Sequence, residues 1–329
     1  MESRLYYTIV KIDSLHITYV PIRQGFGEGL REAGEKDPQV VALCADLTDS
    51  TKISLFKEKF PDRFFEVGIT EQNMSGVASG MAKMGKIPFM ASYAMFSPGR
   101  NWEQIRTTIC YNDVNVKIVG AHAGVSVGPD GGTHQAIEDI ALMRVLPRMT
   151  VVVPCDAIEA KKATLALAAM NGAAYIRLGR EKSAIVTDET TSFEIGKAYT
   201  IFDSGVKDSL KKVGIIACGT LVYQAILAAQ KLDEEGYEVA VLNVHTIKPL
   251  DKESVLSFAK RFGKLVTAEE HQVAGGLGSA AAEYLAENFP VPIKFIGIHD
   301  RFGQSGTQEE LFKEYKLTAE DVVTATNSF

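Results

Sequence analysis

A chain of 329 residues, 46% hydrophobic and 23% charged, has the balance of a folded globular protein long enough for two domains. Its formal charge of −6 comes from interspersed acidic and basic residues, so no basic patch answers a nucleic-acid backbone, and no unbroken apolar stretch reaches the ~18 residues of a membrane helix. Nucleic acid and membrane are therefore not expected partners, and without a basic-then-apolar leader the expected compartment is the cytoplasm.

Residues 1–20 alternate weakly, with Tyr7, Ile9, Ile12, Leu15 and Ile17 apolar, and read as an N-terminal arm. A glycine-interrupted helix from Arg23 leads to a strand over 40–44, whose C-terminal end carries the polar run Ala45-Asp46-Leu47-Thr48-Asp49-Ser50. In open α/β sheets that end is where ligands bind. Further apolar runs at 64–67, 87–91, 116–119, 149–153 and 173–178 are separated by amphipathic stretches at 71–84, 102–111, 133–145 and 157–171. A polar, turn-rich stretch from Glu181 to Gly196 breaks the rhythm. It restarts with strands at 213–217, 239–244, 265–267 and 293–298 and helices at 221–235, 252–262 and 278–288. Continuous Val/Ile runs alternating with helices predict parallel sheets covered on both faces. The expected fold is thus α/β, two consecutive three-layer α/β/α domains with mainly parallel sheets, one over 21–188 and one over 197–329.

Four widely spaced cysteines, Cys44, Cys110, Cys155 and Cys218, read as buried thiols in a reducing compartment. Neither GxGxxG nor GxxxxGKS/T occurs, which disfavours a dinucleotide-binding dehydrogenase and a P-loop ATPase. The turn Cys218-Gly219-Thr220 reads as a structural cap rather than an anion cradle.

The stretch Phe65-Glu66-Val67-Gly68-Ile69-Thr70-Glu71-Gln72-Asn73-Met74 reads as a strand end, a glycine turn, a cap at Thr70 and a helix with the stripe Met74, Val77, Ala78, Met81. On a 3.6-residue period Glu71 shares a face with Met74 and Ala78. A first-turn carboxylate ordinarily faces solvent. One directed at a core or an interface needs a specific partner or a shifted pKa. Gly76 and Gly80, four apart on a neighbouring face, predict a closely packed neighbour, because glycine costs about 1 kcal/mol in an exposed helix.

Residues 120–135 carry five glycines in sixteen positions, with His122 and His134 flanking Asp130, a loop able to approach a ligand through its backbone. No HExxH and no cysteine or carboxylate at a recognised spacing supports a metal site there. Imidazoles that titrate near neutrality suit hydrogen bonding and proton transfer to a hydroxylated or carbonyl substrate. Arg23, Arg100, Arg177 and Arg180 are candidates for bidentate contact to phosphate or carboxylate.

Together Ala45-Asp46-Leu47-Thr48, Gly68-Ile69-Thr70-Glu71-Gln72-Asn73-Met74, Gly128-Pro129-Asp130-Gly131-Gly132-Thr133-His134-Gln135 and Leu178-Gly179-Arg180 make the chain resemble the transketolase family of thiamine-diphosphate enzymes. The resemblance covers about Arg23 to Gly306 and is to the pyrimidine-binding and C-terminal domains. It implies that Glu71 hydrogen-bonds the aminopyrimidine ring nitrogen of thiamine diphosphate, that Phe96 stacks on that ring, and that Trp102 and Asp46 lie on the cofactor side. Glu71, His122 and His134 would then be catalytic, with Arg23, Ser50, His122, Asp130, His134 and Arg180 on the sugar phosphate and Arg177 the alternative to Arg180. Two departures stand out: glycine at 99, where the family often has an aromatic residue, and Ala121-His122-Ala123-Gly124 in place of a His-Asp-Ser segment, partway toward deoxyxylulose-phosphate synthase.

The family holds magnesium and the diphosphate through a Gly-Asp-Gly and a downstream asparagine in an N-terminal domain. This sequence has no Gly-Asp-Gly, and its first 22 residues are too few for that domain. The resemblance therefore implies a split enzyme: a partner subunit supplies the Mg2+ and diphosphate site, this chain self-associates through its pyrimidine domain, and the assembly is an α2β2 heterotetramer. The implied reaction is ketol transfer between sugar phosphates, as in the pentose phosphate pathway, from sedoheptulose 7-phosphate to glyceraldehyde 3-phosphate. The alternatives are the β subunit of a 2-oxoacid dehydrogenase and a deoxyxylulose-phosphate synthase-like half.

Overall fold

The structure, a computed structural model, describes residues 17–329, so most of the expected N-terminal arm lies outside the described residues. The first half contributes β1 (Tyr19–Pro21), α1 (Ile22–Lys36), β2 (Val40–Cys44), α2 (Ser54–Lys59), β3 (Phe64–Glu66), α3 (Glu71–Lys83) and β4 (Ile87–Tyr93). It continues with α4 (Trp102–Gln104), which runs into a π-helical segment Ile105–Tyr111, then β5 (Lys117–Ala121), α5 (Asp139–Arg144), β6 (Thr150–Val152), α6 (Ala157–Ala169), β7 (Ala174–Arg177) and β8 (Lys182–Ala184). The second half adds β9 (Tyr199–Asp203), β10 (Lys212–Ala217), α7 (Leu221–Glu234), β11 (Glu238–Asn243), β12 (Thr246–Lys248) and α8 (Lys252–Phe262). It ends with β13 (Leu265–Gln272), α9 (Leu277–Asn288), β14 (Ile293–Ile298), α10 (Gln308–Glu314) and α11 (Ala319–Asn327).

Among the described residues the strands form a seven-stranded sheet in the order β12-β6-β7-β5-β4-β2-β3, a five-stranded sheet in the order β14-β13-β10-β11-β9 and the pair β1-β8. Both large sheets are parallel except at one edge each, where β12 and β9 run antiparallel. The order reverses between β2 and β4, and an open sheet leaves a crevice outside its carboxyl ends at such a point. Strands β2 and β5 are buried throughout, as their unbroken apolar runs require. One apolar cluster runs from Met74 and Ile118 at the first sheet to Leu242 and Val255 at the second, so the halves share a core.

Glycine spacing fixes the layer behind the crevice. A Cβ on Gly25 would lie 1.8 Å from the Ala157 carbonyl oxygen and one on Gly29 2.8 Å from that of Lys161, so α1 and α6 meet backbone to backbone. By contrast, a Cβ on Gly76 or Gly80 of α3 would meet nothing within 4 Å. Among the described residues the closely packed neighbour expected against that face is not found.

Four expectations need correction. The helix expected over 133–145 is helical only at α5, because 131–137 is held as loop: Gly124 N–H donates to the Ala136 carbonyl, and the Gln135 amide donates to the carbonyls of Val125 and Gln304. The break at 181–196 contains β8, which pairs with β1. Thr70 does not cap α3; its hydroxyl donates to the Val67 carbonyl instead and tightens the turn ahead of the helix. All four cysteines are free and buried, and burial pushes the Cys44 and Cys110 thiols up to about 11. The 218–220 turn does not cap α7 through a side chain; the Thr220 hydroxyl donates to Glu270 instead.

Candidate active site at the carboxyl edge of the first sheet

Glu71 opens α3 and is 1% exposed. Its Oε2 accepts from Arg100 Nη1 at 2.7 Å and its Oε1 from the Ser92 hydroxyl at 3.3 Å. The helix start is clamped by Asn101, whose amide donates to the Glu71 carbonyl at 3.1 Å and to Ser75 and Ser97. The chain from β4 thus folds back over α3 and delivers Arg100 to the acid, with its guanidinium carbon 4.7 Å from the centre of the Phe96 ring. The spacing argument directed Glu71 inward, and the structure buries it there. Its cationic partner, Arg100, had been singled out with three other arginines but not assigned to it.

An aromatic wall continues from Phe96. Tyr93 stacks on Phe96 (6.1 Å between centroids, 18°) and on His122 (3.9 Å, 22°), and His134 meets Phe96 edge-on at 5.4 Å. Tyr93, at the end of β4, was missed as a wall residue; its place at a strand's C-terminal end was the available signal. Trp102, expected among the pocket aromatics, follows Arg100 and Asn101; its indole N–H donates to the Leu142 carbonyl at 2.8 Å and its ring packs partly on the apolar core.

His122 follows β5 with a φ of 55°, in the left-handed region. Arg23 Nη1 lies 2.9 Å from His122 Nε2 and also donates to the Ser50 carbonyl at 3.1 Å. A guanidinium only donates, so Nε2 is the acceptor and Nδ1 carries the proton. That Nδ1 is buried without a partner. Burial first, then the charges of Arg23, Arg180 and His134, push His122 down to about 3. At neutral pH it is a neutral hydrogen-bond donor, which revises the expectation of an imidazole titrating near neutrality.

Arg180 completes the rim. It donates to the Val127 carbonyl and lies 3.6 Å from Asp130 and 3.7 Å from Glu181. Burial and the nearby Arg180 lower the Arg23 guanidinium from its ordinary value. His134 is half-buried, in a hydrogen bond of 2.9 Å with Thr133. Arg177, the alternative to Arg180, is not at the rim. It is buried against Asp139 at 2.8 Å and donates to the carbonyls of Ala136 and Glu270. Burial alone would lower its guanidinium, and Asp139 reverses that.

Asp46 is exposed beside this site, with a φ of 58°. Its N–H donates to Glu66 Oε1 at 2.7 Å, and Glu66 also accepts from Gly68 N–H and the Thr48 hydroxyl. Glu66, overlooked in the sequence, is what ties the Asp46 loop to the turn before Glu71. The structure therefore brings Glu71, Phe96, His122, His134, Arg23, Arg180, Asp130 and the Ser50 backbone to one edge, and takes Arg177 away from it.

The residues fit the pyrimidine half of thiamine diphosphate. A buried carboxylate within reach of a flat N–H donor that lies on an aromatic face is what a protonatable aminopyrimidine requires, and Arg100 already meets both surfaces. Among the described residues no group of three or more His, Cys, Asp or Glu side chains is arranged to hold a metal ion. None of the described helices is long and apolar enough to cross a membrane. Fold and site together define an α/β protein whose candidate site lies at a strand-order switch.

The sequence profiles of two families match the chain: "Transketolase, pyrimidine binding domain" over residues 18–184 and "Transketolase, C-terminal domain" over 205–322. A "Putative transketolase C-terminal section" of Methanocaldococcus jannaschii is 42% identical over 92% of this chain and 94% of its own. The "6-deoxy-6-sulfo-D-fructose transketolase subunit SqwH" of a Clostridium species is 41% identical over 93% of each. A solved structure described as "Split gene transketolase, inactive beta4 tetramer" superposes with a TM-score of 0.86 at 44% identity, covering 94% of this chain and 98% of that one. The chain belongs to the transketolase family, which depends on thiamine diphosphate, and it corresponds to the family's C-terminal portion.

Proposed function

We propose that the chain is the C-terminal subunit of a two-subunit transketolase, active only with an N-terminal partner that holds Mg2+ and the diphosphate, in an α2β2 assembly. The buried Glu71 carboxylate, reached from an aromatic face, carries this reading. Bound thiamine diphosphate would supply the nucleophilic carbon and the electron sink for breaking and forming the sugar's carbon–carbon bond. Glu71 holds the proton shared with the aminopyrimidine ring nitrogen, and Phe96, backed by Tyr93, supports that ring. Neutral His122 donates from Nδ1 to a donor-sugar oxygen, and Asp130 accepts from a hydroxyl. His134 sits between the aromatic wall and the reacting sugar. Arg23 and Arg180 hold the phosphate, with the Ser50 backbone fixing Arg23, and Asp46 faces the cofactor at the subunit seam. The open Gly76 and Gly80 face of α3, flanked by exposed Ile69 and Met84, supports docking of another subunit there.

The proposed reaction is ketol transfer from sedoheptulose 7-phosphate to glyceraldehyde 3-phosphate in the cytoplasm. The paired rim arginines favour this over a 2-oxoacid dehydrogenase β subunit, whose substrate lacks a distal phosphate. The test is turnover by the purified chain alone and with a Gly-Asp-Gly-bearing partner, offering sedoheptulose 7-phosphate and, as rival donor, 6-deoxy-6-sulfo-D-fructose. Turnover of the phosphate by the mixture only is expected. Turnover by the lone chain, or of the sulfonated sugar alone, would sink the reading.

A further inference from the structure

We infer that Arg100 is an internal occupant of the pyrimidine pocket, a side-chain latch that the cofactor must displace. This rests on the assignment of Glu71 and Phe96 under the proposed function and goes beyond it. The Arg100 guanidinium sits 2.7 Å from Glu71 Oε2 and 4.7 Å from the Phe96 centroid. Those are the two contacts that the reading gives to the aminopyrimidine: an N–H toward the acid and a flat face toward the ring. A guanidinium is planar, delocalised and rich in donors, so it imitates an aminopyrimidine where an ammonium would not. Both groups cannot occupy one place.

The asymmetry of the pair says which member moves. Glu71 is 1% exposed, whereas the Arg100 side chain is 46% exposed, lying over the acid with its outer side in solvent. The backbone beneath is fixed, because Arg100 N–H donates to the Phe96 carbonyl and Asn101 is bonded to Glu71, Ser75 and Ser97. Displacement therefore needs only rotation of a long side chain. Until the cofactor arrives, the latch pairs a carboxylate that burial would otherwise leave with only the Ser92 hydroxyl.

A latch lowers apparent affinity by the fraction of molecules it leaves open. The experiment titrates thiamine diphosphate with Mg2+ into the chain–partner complex by calorimetry, comparing wild type with Arg100→Ala, Arg100→Lys and Glu71→Ala. Arg100→Ala is expected to tighten binding by about 5- to 10-fold, as for a pocket covered in roughly nine molecules of ten. Arg100→Lys, which keeps the charge and loses the flat face, is expected to tighten it by less, and serves alone if the alanine variant does not fold. Unchanged or weaker binding by the Arg100 variants, with Glu71→Ala weakened, overturns the latch and leaves the pocket assignment standing. Unchanged binding by Glu71→Ala overturns the pocket assignment and the latch with it.

Discussion

Two acid–arginine pairs in this chain bury the acid alike and differ in the cation. In the seam between the sheets, Asp139 pairs with Arg177 while Tyr175 donates to the same carboxylate, and every member is buried. Nearby, Glu270 accepts from the Ser126 N–H and the Thr220 hydroxyl, and the His271 Nε2 accepts from the Ile140 N–H. At the sheet edge, Glu71 is as buried as Asp139, but its cation is half exposed and reaches it from a fold-back of the chain. If Glu71 works as proposed, burial of the acid does not separate a structural pair from a working one, and the exposure of the cation does.

The sharpest way to break this comparison is to remove the cation from the seam. Arg177→Met strands Asp139 in the interior and is expected to cost about 3 to 5 kcal/mol in urea denaturation of the chain. A loss below about 1 kcal/mol would show that the seam pair is as dispensable as a surface one. Next comes Glu71→Gln in the assembled enzyme, with turnover expected to fall about 100-fold or more, the scale of a positioned proton-transfer group, and little change in unfolding midpoint. A large fall in the midpoint with turnover retained would make Glu71 a member of the structural class.

Per pH unit, the smallest expected effect is on acid stability. Burial holds His271 down to about 4, against an ordinary 6.5. Between those values the unfolded chain binds a proton that the folded chain does not, so stability falls as pH drops from about 6.5 toward 4. His271→Asn should flatten that limb by about 1.4 kcal/mol per pH unit in acid denaturation, and an unchanged slope would mean that the imidazole is protonated in the seam.

Much of the sheet was legible because β2, β4, β5 and β7 are short apolar runs with helices between them, a pattern that parallel pairing alone imposes. The inward face of Glu71 was legible from helical spacing. Arg100 was not, since its meeting with Glu71 depends on how the chain bends back between β4 and α4, and no local period encodes a bend. The choice between Arg177 and Arg180 was in principle decidable: Arg177 belongs to a strand buried at all four positions, and Arg180 lies beyond its end. The failed helix over 133–145 has a different cause. Its apolar residues sit at helical intervals, yet Gln135 and the glycines before it are committed to contacts with the second half of the chain. Residues β8 and β12, three apiece, are too short for any alternation to register.

Strand β12 has a practical consequence for anyone wishing to dissect the molecule. It lies between β11 and α8 in sequence but is hydrogen-bonded to β6, on the border of the other sheet. A fragment cut near residue 190 would carry β6 with its outer amides and carbonyls bare, an invitation to pair with stray polypeptide. Such a truncation should precipitate where the intact protein does not, and supplying the remainder as a separate piece should rescue it only by restoring that border.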